Sequence, residues 1–281
     1  MKTILVPTDF SKDATEAAKY AAELGKYIGS SRILVLNSFY VSIYESILPS
    51  VNFIQLSNEE ITQKQESILR RLRALKARLE FLVHGSNIVI DYHLSNLPLL
   101  RSIHQAIDDQ EVDLIIIGST GENAKEESLI GRNTIAIAKT SMVPVIVCPS
   151  QTKFTPIKKV ILACDFKKVT DTIPLNELEK VLNRTKAELL VLNVDPHGHH
   201  LKPEAVSEVS ALQQMLKDFS PKYHYTDDID TIDSIIQFAD TQNAQLIIAL
   251  PKRYSFLQGL MHNSISQKLA LNSKTPVLIL K

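Results

Sequence analysis

Cysteine is scarce in this chain, with two among 281 residues, Cys148 and Cys164. Both stand at the ends of stretches that read as strands. They are therefore expected to be small buried side chains in a reducing cytoplasm, which excludes a disulfide framework. An excess of one charge is also lacking, since Lys plus Arg and Asp plus Glu come to 31 each. No long-range field then favours a nucleic acid or an anionic membrane as partner. No apolar run approaches the roughly eighteen residues of a bilayer span. The first residues enter a strand with no charged region and long apolar segment before it, so no secretory leader is expected. A G-x-x-x-x-G-K-[ST] phosphate loop is missing, and no Ser-His-Asp or Cys-His pattern is recognisable.

What is present is a set of short, β-branched apolar runs separated by helical patterns. Thr3 to Val6, Ile33 to Leu36, Val89 to Leu94, Leu114 to Ile117 and Val145 to Val147 read as strands, mostly buried on both faces of a parallel sheet. Ser11 suits the cap of an alanine-rich helix bracketed at its end by Gly25 and Gly29, and small residues allow that helix close packing on the sheet. After a connection containing Pro49, Ser57 and Glu60 form a capping-box pair ahead of a long helix with Ile61, Ile68, Leu72, Leu75, Leu79 and Leu82 on one face. Its run Arg70, Arg71, Arg73, Lys76 and Arg78 reads as a solvated face. Leu97 to Ile107, with Pro98 in the first turn, and Asn133 to Lys139 read as further helices. Strands separated by helices imply right-handed crossovers and a parallel α/β sheet of flavodoxin-like type.

Two strand ends carry polar residues. Val6 is followed by Pro7, Thr8, Asp9, Phe10 and Ser11, and Ile117 by Gly118, Ser119, Thr120 and Gly121, with Gly131 opening the next helix. Glycines there let the main chain approach a ligand, and the free N–H groups of a helix start favour an anion. In an open α/β sheet such strand ends border the ligand crevice.

These residues resemble the universal stress protein family. The pattern is a strand ending in Pro7-Thr8-Asp9, then Gly118-x-x-Gly121, nine residues and Gly131, and finally Val143-Pro144-Val145 opening a strand. The family's Ser/Thr after the last glycine is replaced by Arg132, which binds phosphate but cannot ligate Mg2+. The resemblance implies a strand order of 3-2-1-4-5 and an adenine nucleotide such as ATP, with Mg2+ as a companion. Pro7, Thr8, Asp9 and the segment from Val35 to Asn37 would surround base and ribose, and Ile117 and Gly118 would line the nucleoside. Gly121, Gly131, Arg132 and Asn133 would hold the phosphates through main-chain N–H groups and the Arg132 guanidinium. Asp9 has a second reading, in which it joins Ser11 in capping the first helix. Glu122, Glu126 and Glu127 against Lys125 make the intervening loop acidic, which lowers affinity for an anion within the screening length of roughly 8 Å.

The pattern then starts again. Ile161 to Phe166 repeats Leu5 to Phe10, and Leu190 to Asn193 repeats Leu34 to Asn37, position 165 answering 9 and 193 answering 37, an offset of 156. Further on, Leu246 answers Leu114 and Pro276 answers Pro144, an offset of 132. The second copy is shortened between Asn193 and Gln245. The chain therefore reads as a tandem duplication, with residues 1–150 as one domain and 151–281 as a second, and the family resemblance implies that they pair through their fifth strands about a pseudo-two-fold axis. In the second copy Leu250, Arg253 and Asn263 replace Gly118, Gly121 and Gly131, and Ala163 and Cys164 replace Pro7 and Thr8. Only Asp165 survives, so nucleotide binding is assigned to residues 1–150. His197, His199 and His200 lack cysteine partners and read as an exposed connection. The functional expectation is a stress-response sensor or regulator acting on a protein partner of unknown kind. A homodimer, a nucleotide-free scaffold and a slow ATPase stand as alternatives.

Overall fold

The computed structural model describes residues 1–41, 58–120, 131–195, 203–250, 269–270 and 272–281. Pro49, Ser57, Gly121, the loop acids with Lys125, the histidines at 197, 199 and 200, Arg253 and Asn263 lie outside these residues.

The first half contains β1 (Thr3–Pro7), α1 (Lys12–Ile28), β2 (Arg32–Ser38), α2 (Asn58–Leu82), β3 (Val89–Ser95), α3 (Leu99–Gln110), β4 (Leu114–Gly118), α4 (Arg132–Thr140) and β5 (Val145–Cys148). The second contains β6 (Lys159–Ala163), α5 (Val169–Thr172), α6 (Leu175–Thr185), β7 (Glu188–Val194), α7 (Pro203–Leu216), β8 (Lys222–Thr226), α8 (Thr231–Gln242), β9 (Leu246–Ala249) and β10 (Val277–Ile279). Pro98 proves to be the N-cap of α3 and not part of its first turn. Gly25 lies inside α1, and Gly29, in the left-handed region at φ 70°, ends it, a conformation that glycine adopts without Cβ strain.

The expected order 3-2-1-4-5 is found in each half, but the two sheets are one. Ten strands run β3-β2-β1-β4-β5-β10-β9-β6-β7-β8. Every pairing is parallel except the central one, where Val145, Ile146 and Val147 face Ile279, Leu278 and Val277 antiparallel. The physical reason is edge chemistry: β5 and β10 are wholly apolar, and such an edge left open invites aggregation. The outer edges carry charge instead. Arg32 Nε meets Asp91 Oδ2 at 2.8 Å beside β3, and Lys222 Nζ meets Glu188 Oε1 at 2.5 Å beside β8, the same cross-strand pair with its signs exchanged.

Alternation along each strand feeds two cores. Ile4, Val6, Ile33, Val35, Leu114 and Ile116 pack under α1, α2, α6 and α7, while Leu5, Leu34, Leu36, Ile115 and Ile117 pack under α3, α4 and α8. Helices equivalent in the two halves thus share a face. In α2 the buried residues are Leu72, Leu75 and Leu79, the centre of the apolar stripe read from the sequence. The halves are also tied by side chains. Tyr27 Oη donates to the carbonyls of Ile157 and Thr185 at 3.0 and 2.9 Å, Arg184 Nη1 donates to Ile28 O at 3.0 Å, and Lys281 Nζ reaches Ala138 O at 2.6 Å at the end of α4.

Candidate functional site

The strand order reverses between β1 and β4, so their C-terminal ends border a crevice with the starts of α1 and α4. The β1 side is a tight, self-satisfied turn. Thr8 N donates to Leu36 O at 2.8 Å, and Thr8 Oγ1 accepts from Phe10 N at 3.0 Å. Asp9 Oδ1 accepts from Ser11 N at 2.9 Å, and Ser11 Oγ accepts from Ala14 N at 3.1 Å. Ser11 is therefore the helix cap, and Asp9 shapes the turn before it. Phe10 takes φ 64°, a strained value for an aromatic residue. Arg71 from α2 lies over that ring at 4.3 Å, so one arginine of the otherwise exposed basic face is tied to the turn. Asn37 closes the arrangement by donating Nδ2 to Thr8 O at 2.7 Å.

On the β4 side the glycines have packing and capping roles beside those read from the sequence. A Cβ on Gly118 would stand 2.8 Å from both the carbonyl carbon and oxygen of Asp13. The close approach is to the first turn of α1. Gly131 is the N-cap of α4 at φ −64° and ψ 132°, extended backbone open to any residue. Its N–H donates to Ser119 O at 3.1 Å and is not offered to a phosphate. Thr134 Oγ1 donates to Gly118 O at 3.0 Å, pinning α4 to the end of β4. Arg132 and Asn133 are the exposed first two residues of α4, and N–H groups in a first turn have no intrahelical acceptor. Val35 is fully buried and Ile117 is 7% exposed. Val35 packs in the core between β1 and β3, so it has no surface for a base, which corrects its placement at the nucleoside. Pro7 is buried at the end of β1.

One residue the sequence reading missed is Asp13. It is 7% exposed, yet among the described residues its carboxylate has two partners, both hydroxyls. Oδ1 accepts from Ser150 Oγ at 2.8 Å, and Oδ2 accepts from Thr120 Oγ1. Thr120 follows Ser119 at the mouth of the crevice, and Ser150 follows β5. A signal was available: at the offset of 156, Asp13 answers to Val169, fully buried. An acid in the first turn of a helix is ordinarily explained by the helix dipole, so its residue type alone does not single it out.

The second half keeps the turn but not the mouth. Asp165 Oδ1 accepts from Lys167 N at 3.3 Å, Asn193 Nδ2 donates to Cys164 O at 2.9 Å and Phe166 takes φ 52°, each the counterpart of a feature around Asp9. Leu250 stands for Gly118, and Val169 for Asp13. Among the described residues no three His, Cys, Asp or Glu gather as a metal site. Burial pushes the Cys164 thiol up to about 12 and Cys148 higher still, so neither is a nucleophile at neutral pH. A cavity of about 430 Å³ lies away from the crevice, lined among others by Tyr20, Lys153, Asp240, Asn243 and Lys274. It mixes two lysines with an acid and the carbonyl end of α8, and such a mixture selects no ligand charge. No described helix is long and apolar enough to cross a membrane.

Residues 1–149 match the universal stress protein family. A universal stress protein of Methanocaldococcus jannaschii is 24% identical over 147 residues, which is 52% of this chain and 81% of that protein. One from Synechocystis is 22% identical over 302 aligned positions covering 99% of both chains. Among solved structures, a universal stress protein from Archaeoglobus fulgidus superposes over 99% of this chain and 96% of its own, with a TM-score of 0.66 at 19% identity. The tandem layout of the fold is therefore shared along the whole chain.

Proposed function

The chain belongs to the universal stress protein family, and from that premise we propose that it is a stress-response regulator that binds an adenine nucleotide between β1 and β4. Residues 1–150 form the nucleotide domain in this reading, and residues 151–281 a degenerate partner that keeps the fold. The observation that carries it is the start of α4, where Arg132 and Asn133 are exposed beside the crevice. First-turn N–H groups that have no intrahelical acceptor, the positive end of a helix and a guanidinium together suit a phosphate. Thr8 and Asp9 then act by shaping the floor, with hydrogen bonds spent on the turn, and Asn37 joins them through Nδ2 while its buried Oδ1 has no partner among the described residues. Gly121 remains assigned to the phosphate loop from the resemblance. ATP is the ligand proposed, with Mg2+ as its companion.

Calorimetric titration of the full chain with ATP tests this. Arg132→Glu removes a charge-assisted contact and adds repulsion at an exposed position, so affinity falls by about tenfold or more. Equal binding by the two proteins removes α4 from the site.

A second reading, a nucleotide-free scaffold that works through a protein partner, is favoured by one observation. Gly118 and Gly131, the residues the resemblance offers to a ligand, are consumed by packing and by a hydrogen bond to Ser119. Absence of any thermal shift with millimolar ATP selects that reading.

A further inference from the structure

We propose that Asp13, Thr120 and Ser150 form the seat for the divalent cation that accompanies the nucleotide, an inference that rests on the nucleotide reading above. The starting point is an imbalance of charge. Asp13 is 7% exposed and accepts hydrogen bonds from two neutral hydroxyls, with no cationic side chain against it among the described residues. Burying a carboxylate is costly unless a cation or full hydrogen bonding offsets it. Its position in the first turn of α1, behind the Ser11 cap, offsets part of that cost through the helix dipole.

The fold does not require an acid there. In the other half Val169 fills the equivalent place, fully buried, and Leu250 stands where Gly118 admits the Asp13 main chain. The acid and the glycine packed against its main chain occur together, and in the half that keeps the exposed helix start. The donor set also has the right chemistry. A carboxylate and two hydroxyl oxygens are hard ligands, and Mg2+ is ordinarily held by one or two carboxylates together with substrate phosphates and water. Both hydroxyls now point their protons at Asp13. Turning those protons outward would present oxygen lone pairs to a cation placed beside the carboxylate. Thr120 is one residue from Ser119, whose carbonyl holds the N-cap of α4, so the seat adjoins the proposed phosphate position. The site thus recovers from α1 the metal-binding oxygen that Arg132 removes from the start of α4. One carboxylate is too few for a metal alone, so cation and nucleotide bind together.

The test is calorimetric titration of the full chain with ATP, once in EDTA and once with excess MgCl2, together with Mn2+ alone followed by water-proton relaxation. The wild-type protein is expected to bind ATP about tenfold tighter with Mg2+ and to bind Mn2+ alone only weakly. Asp13→Asn, which keeps an acceptor for a hydroxyl, is expected to bind ATP in EDTA at least as well and to lose the Mg2+ enhancement. Thr120→Val and Ser150→Ala serve as independent variants should Asp13→Asn fail to fold, and each is expected to shrink the enhancement. Equal affinity with and without Mg2+ in the wild type, or an undiminished enhancement in the variants, overturns the cation seat while leaving the nucleotide site standing. No ATP binding in either buffer overturns both.

Discussion

Gln245 does with an amide what Asp113 does with a carboxylate. Asp113 Oδ2 accepts the N–H groups of Lys2 and Thr3 at 2.6 and 3.0 Å, and Gln245 Oε1 accepts those of Lys158 and Lys159 at 2.8 and 3.0 Å. Each ties the residue before the fourth strand of its half to the start of the first. Partial burial works to raise the Asp113 carboxyl, but its two main-chain donors and nearby positive charge outweigh this and hold it below the usual carboxylate range. A depressed carboxyl adds stability above the unfolded value of about 3.9 and loses it as pH falls through the lower folded value. Asp113→Asn is therefore expected to keep most of the stability at pH 7 and to lose that component of acid sensitivity. Asp113→Ala leaves two N–H groups without their acceptor and costs about 1 kcal/mol. Urea unfolding at pH 7 and in the acid range measures both.

Gly118→Ala places a methyl group against main-chain atoms of Asp13 that belong to a helix and cannot rotate away. The expected cost is about 1–3 kcal/mol, seen as a lower urea midpoint with an unchanged m-value. A substitution without cost means that α1 shifts from β4 freely, and the argument for the glycine fails.

Tyr27→Phe removes the hydroxyl shared between the carbonyls of Ile157 and Thr185. About 1–2 kcal/mol is expected from the lost donor. The bond crosses from α1 to the other half, so a reduced m-value or a biphasic transition would mark partial uncoupling of the halves.

The two thiols are expected to stay silent toward a thiol reagent at pH 8 in the folded protein and to react on unfolding. With Cys164 at about 12, its thiolate fraction there is on the order of 10⁻⁴. Rapid labelling without unfolding contradicts the burial assigned to them.

Much of the architecture is legible in the chain because it rests on periodicity. Leu114 to Ile117 and Val145 to Val147 are buried on both faces, so the apolar runs mark their strands without ambiguity. The repeat is legible for a related reason: the turn around Asp9 recurs around Asp165, down to a phenylalanine at positive φ. The pairing through the fifth strands is implied by the family resemblance, and their lack of polar residues suits it. What is hidden is whatever depends on distance between segments. Gly118 reads as a ligand glycine because its neighbour in space, Asp13, is 105 positions back in the numbering. Asp13 itself reads as a helix-start acid because nothing local shows that Thr120 and Ser150 converge on it. Val35 lies on the same face of β2 as Asn37 but two residues deeper in the sheet, where it is fully buried, so proximity in sequence misplaces it.

The antiparallel seam between β5 and β10 has a consequence for where the two sets of strand ends lie. Strands in the two halves point in opposite directions, so the mouth beside Asp9 opens on one rim of the molecule and the vestigial mouth beside Asp165 on the opposite rim. The two rims are joined by the shared strands and by the links that Tyr27 and Arg184 make from α1 to the other half, so under the proposed function a ligand taken up at one rim would bear on the other only along these routes.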